Sequence, residues 1–173
     1  GMWAQASTYI HLLAGILLAM AILQLIYAID FKGAAEHKKL HIPVSKEIVI
    51  TADTMVFLDD QRLGKPVDEA DALRMLTALQ GRRHTVCTGV TVRRGGEILT
   101  ESASTDVYFR PAAEAELWGY IRTGEPMDKA GAYGVQGKGA LLVERLEGDF
   151  FNVMGLPVLR LSRMLAQFGI RLL

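Results

Sequence analysis

Asp53 stands inside an apolar, β-branched run, EIVITADTMVFL at 47–58, with Thr54 beside it. A carboxylate is expensive to bury unless it is paired or meets a cation, so Asp53 is a candidate general base or cation ligand. A strand-end aspartate capping a turn is the plainer use. Twelve residues on, Lys65 lies between Gly64 and Pro66. A rigid turn that presents an ammonium group suits a phosphate, and suits solvent as well. The stretch DKAGAYGVQGKG at 128–139 threads Lys129, Gln136 and Lys138 among glycines at 131, 134, 137 and 139. It is not a Walker A loop, because Lys138 is followed by glycine rather than Ser or Thr. Its amide groups, with Lys129 and Lys138, could still cradle phosphate. Gln136 both donates and accepts hydrogen bonds, so it could read a base edge. A solvated glycine-rich β-loop is the alternative.

Other chemistries find little support. His37 and His41 are four apart, but a zinc site needs a third ligand and none is suggested. Cys87 is the single cysteine and sits in an apolar, threonine-rich run, where a buried core thiol is expected. It cannot form an internal disulfide, which permits a reducing compartment. No Ser-His-Asp arrangement stands out. The 173 residues carry a formal net charge of zero, so no overall field favours a nucleic-acid polymer.

These residues need elements to hold them. A strand over 47–58 carries Asp53 and Thr54, and a turn-rich loop, DDQRLGKP, carries Lys65. Apolar residues at 72, 73, 75, 76 and 79 predict a helix over 68–80, capped by Asp68 and closed by Gly81. HTVCTGVTVRR and EILTESASTDVYFR, joined at Gly95-Gly96, predict a hairpin. A helix over 111–123 should end at Gly124, a strand and its exit should follow the glycine-rich stretch, and a last helix should cover 156–168. The pattern predicts one α/β domain with a mixed sheet and flanking helices. At the other end, residues 9–29 are apolar and long enough to span a bilayer, or to form a buried helix or an oligomer contact such as a homodimer.

Taken together, ADT at 52–54, GKP at 64–66, TGV at 88–90, TGEPMDKAGAYGVQGKGA at 123–140 and GDFFNVMGLP at 148–157 resemble the Maf family, in order and in spacing. These are nucleoside triphosphate pyrophosphatases, called septum formation proteins in older usage. The resemblance covers about residues 47–170. It implies a two-lobed α/β architecture, anticodon-binding or ITPase-like, with a central cleft. It implies hydrolysis between the α and β phosphates, with a divalent cation, Mg²⁺ or Mn²⁺, and a cytoplasmic location. Asp53 matches the family's proton acceptor and Lys65 a phosphate-contacting lysine; Lys129 falls in the same substrate-binding set. Thr54 and Gln136 match positions tied to substrate choice, in the form similar to the branch acting on dTTP and UTP.

The chain also departs from the pattern. It has no SxSPRR-type loop; the apolar run 9–29 stands in that place, and AAEHKKLHIP at 34–43 resembles the remnant of a family helix. The domain division expected is therefore an atypical segment, 1–46, and a Maf-like domain, 47–173. A second expectation is a catalytically inactive Maf-like remnant, attached to a membrane through 9–29.

Overall fold

The computed structural model describes residues 47–173. The expected features at 9–29, His37, His41 and 34–43 lie outside the described residues. Strands β1 (Ile48–Leu58), β2 (Gln61–Leu63), β3 (Arg83–Arg94), β4 (Glu97–Phe109) and β5 (Val143–Glu147) form a five-stranded antiparallel sheet in the order β2-β1-β3-β4-β5. Among the described residues four helices accompany them: α1 (Glu69–Leu79), α2 (Glu114–Ile121), α3 (Phe150–Met154) and α4 (Val158–Gln167). The helix-flanked sheet expected from the sequence is present.

Local chemistry explains several boundaries. Asp68 caps α1, its carboxylate accepting the Asp71 N–H at 2.7 Å. That satisfies a donor the helix itself leaves open. The β3–β4 hairpin turns at Gly95-Gly96, as expected. Two elements were not anticipated. The turn-rich loop after β1 contains β2, which pairs back through Val56 with Leu63 and Leu58 with Gln61. The strand exit after β5 contains α3, capped by Asp149 through the Phe151 N–H at 2.8 Å. Between α2 and β5 the chain runs through three short 3₁₀ turns, Glu125–Asp128, Ala130–Ala132 and Lys138–Leu142.

The described residues divide into two compact units. The first comprises 47–53, 89–101 and 161–173. Its core is Val90, Val92, Leu161, Met164, Leu165 and Phe168. Arg94 donates to the Phe168 carbonyl at 2.7 Å and lies over its ring. The second unit comprises 54–88 and 102–160. Its larger core joins β1, α1 and α2, with Val56, Leu76, Leu79, Leu117 and Ile121 all buried. Burying side chains of this size contributes about 1.5–3 kcal/mol each. Cys87 is a buried thiol here, as expected, raised by burial and touched by the Ser104 hydroxyl at 3.4 Å.

Candidate functional site

Two motif stretches far apart in sequence meet in the second unit. The Gly131 N–H donates to the Gly64 carbonyl at 2.9 Å, fastening the glycine-rich stretch to the turn that holds Lys65. Gly131 has φ +72°, a conformation that side chains other than hydrogen rarely adopt, and a methyl group there would approach the Val56 side chain to 3.0 Å. Val56 and Thr54 alternate onto one face of β1, so the stretch lies against the Thr54 face of that strand.

The lysines flank a carboxylate. Lys129 Nζ donates to Asp128 at 2.7 Å. That bond holds the Asp128 carboxyl below its usual range, and the charge of Lys65 acts the same way from further off. Lys65 and Asp128 are exposed and Lys129 is half-buried. Lys129 also acts on the nearby Glu125 carboxylate, so the two ammonium groups stand among two carboxylates.

The glycines of this loop surround a carboxylate. Glu125 turns its carboxylate into the loop and accepts the N–H groups of Lys138 at 2.9 Å and Gly139 at 3.0 Å. Tyr120 completes the cluster, donating its hydroxyl to Glu125 at 3.0 Å and accepting the Gly134 N–H at 3.0 Å. A methyl group at Gly139 would lie 2.5 Å from the Gly134 carbonyl and 2.6 Å from the Tyr120 hydroxyl; one at Gly137 would collide with the Glu125 carboxylate. The glycines are therefore the residues that let a chain close around a carboxylate. The amides of Lys138 and Gly139 are engaged by Glu125. Gln136 stands exposed at the tip, directly after buried Val135.

Thr54 belongs to a second polar cluster. Its hydroxyl lies 2.8 Å from that of Thr88, and Thr88 donates to the Asn152 carbonyl at 2.9 Å. Thr88 has one proton, so Thr54 is the donor in the first bond. The Asn152 amide donates to the Val86 carbonyl at 3.0 Å and to the Thr105 hydroxyl at 2.9 Å. Thr88 and Asn152 are fully buried. They clamp α3 to the sheet and bring Gly155 against Thr54, where a methyl group would lie 3.5 Å from the threonine hydroxyl.

Asp53 is exposed on β1 in the first unit, next to Thr54 in the chain. Among the described residues no three His, Cys, Asp or Glu side chains gather as a metal cage. Sequence reasoning singled out Thr54, Lys65, Lys129 and Gln136. It did not single out Asp128, Glu125, Tyr120, Thr88 or Asn152 as partners. Glu125 was visible only as one letter of the TGEP stretch, since its partners are backbone amides thirteen and fourteen residues away.

An α/β fold here ties a GKP turn to a lysine-bearing glycine loop. Residues 28–168 match the family model described as Maf-like protein, and the chain belongs to the Maf family. It is 52% identical over 128 residues to a protein of Dictyoglomus turgidum named dTTP/UTP pyrophosphatase, covering 73% of this chain and 66% of that one. A protein of the same name from Chromobacterium violaceum is 49% identical over 124 residues, 72% of this chain and 63% of that one. Another, from Moorella thermoacetica, is 52% identical over 145 residues, 82% of this chain and 74% of that one. The chain thus spans just under two thirds of the length of the first two relatives.

Proposed function

We propose that this chain is a nucleoside triphosphate pyrophosphatase acting on dTTP and UTP. The observation that carries the reading is the junction of the GKP turn with the glycine-rich loop through Gly64 and Gly131, which brings together the two loops that bear Lys65 and Lys129. The names of relatives near 50% identity supply the substrate class. They favour the active reading over the inactive remnant.

In this reading Lys65 and Lys129 take the negative charge of the triphosphate, which grows on the leaving pyrophosphate. Asp53 accepts a proton from the attacking water as its oxygen bonds to the α phosphorus. The bond from that phosphorus to the bridging oxygen breaks, and pyrophosphate carries the electron pair away. Gln136 and Thr54 choose the nucleotide. A divalent cation that arrives on the triphosphate needs only one or two protein carboxylates, because Mg²⁺ keeps waters and substrate phosphate oxygens as its other ligands. Asp53 would hold it, and when bound it would neutralise phosphate charge.

The test is pyrophosphate release from dTTP, UTP and 7-methyl-GTP with Mn²⁺, in the unaltered protein and in Asp53→Asn. Release from the pyrimidine nucleotides, falling by about 10²–10⁴ in the variant, is the expected result. Equal release by Asp53→Asn would remove Asp53 from the reaction. No release from folded protein would favour the inactive remnant.

A further inference from the structure

The Glu125 carboxylate takes three hydrogen bonds from the loop and its surroundings and has no place in the reaction just described. It receives two backbone N–H groups, from Lys138 and Gly139, and the Tyr120 hydroxyl, all at 2.9–3.0 Å. Burial by itself would push its pKa up, but these donors and the charge of Lys129 outweigh it and hold the group ionised. Hydrogen bonds to a charged acceptor are about twice as strong as neutral ones. The bonds bracket Gln136 closely. Lys138 is two residues beyond it, and Gly134, bound to Tyr120, is two residues before it. Val135 is buried beside it. The backbone on both sides of Gln136 is thus pinned to one side-chain cluster, while Gln136 itself is exposed.

We infer that Glu125 is a positioning residue, whose carboxylate holds the 134–139 loop in the conformation that presents Gln136, so that the two residues act as one unit in choosing the nucleotide. This rests on the assignment of Gln136 to the base in the proposed function. Glu125 itself touches neither phosphate nor base; a second anion beside a triphosphate would repel it. Its charge is spent on the loop amides.

The experiment is a double-mutant cycle on the full chain, reading calorimetric affinities for the non-hydrolysable α,β-methylene analogues of UTP and 7-methyl-GTP with Mg²⁺. Glu125→Gln keeps the shape and removes the charge. The expected result is that Gln136→Ala and Glu125→Gln each lower the preference for UTP about tenfold, the worth of one hydrogen-bonded contact, and that the double variant falls no further. A merely structural Glu125 would weaken both nucleotides alike, leave the preference intact, and overturn the inference. So would additive effects. If Gln136→Ala keeps the preference of the unaltered chain, the assignment of Gln136 fails first and takes this inference with it. Should Glu125→Gln fail to fold, Glu125→Asp, which keeps the charge but falls short of the amides, carries the same expectation.

Discussion

The N–H of Gly131 and the carbonyl of Gly64 are joined across 67 positions of sequence by one 2.9 Å hydrogen bond, and that bond aligns the two lysine-bearing loops. It requires the left-handed backbone at Gly131, with Val56 directly beneath. Gly131→Ala should cost about 1–3 kcal/mol of stability, from strain and crowding together. Urea denaturation measures it, and a variant as stable as the parent would show that the loop yields easily.

Lys65 gives a cleaner test of the proposed phosphate contact. It is exposed, so its removal should leave stability within about 0.5 kcal/mol. Lys65→Ala should nevertheless lower kcat/KM for UTP by roughly ten- to a hundredfold, the worth of one charge-assisted hydrogen bond. Steady-state kinetics beside a thermal melt separates the two effects. Unchanged kinetics would assign Lys65 to solvent.

Thr88 is the hinge of the Thr54–Asn152 cluster. Thr88→Val keeps the shape and removes the hydroxyl that accepts from Thr54 and donates to the Asn152 carbonyl. The expected loss is about 1–3 kcal/mol, since a buried carbonyl loses its donor. If the variant melts with the parent, the Asn152 amide and the Thr105–Asp149 bonds hold α3 without Thr88.

His84 sets an acid limit on the fold. Its Nε2 is 2.8 Å from the Tyr133 hydroxyl, its Nδ1 has no hydrogen-bond partner among the described residues, and its ring packs edge-on to Phe109 and Tyr133. Burial pushes its pKa down to about 4, against a weaker upward pull from Asp106. Between pH 6.5 and 4 the unfolded chain therefore binds a proton that the folded chain refuses. Stability from this group is complete above pH 6.5 and declines as pH falls towards 4, by about 3 kcal/mol in all. An NMR titration in which His84 protonates near 6.5 would contradict this.

Much of the scaffold was legible because its signals are local. Asp68, the apolar spacing through Leu79 and the Gly95-Gly96 turn each act within a few residues, and each produced the element expected. The β2 strand was hidden because three residues, Gln61–Leu63, are too few to alternate, and pairing with β1 rather than composition makes them a strand. The α3 helix was hidden for a like reason: five residues cannot stand as a helix by themselves, and α3 stands because Asp149 caps it and Asn152 is bonded into the sheet.

The glycine-rich loop marks the division most clearly. Sequence alone determined that residues 128–139 carry Lys129 and Gln136 among four glycines. It also determined the family, since the order and spacing of five motifs survive without coordinates. Only the tertiary structure decided what the glycines surround. A carboxylate that binds backbone amides imposes no side-chain type on them beyond small size, so Glu125 left only absences in the sequence: missing Cβ atoms at 137 and 139, where its oxygens and the Tyr120 hydroxyl needed the room.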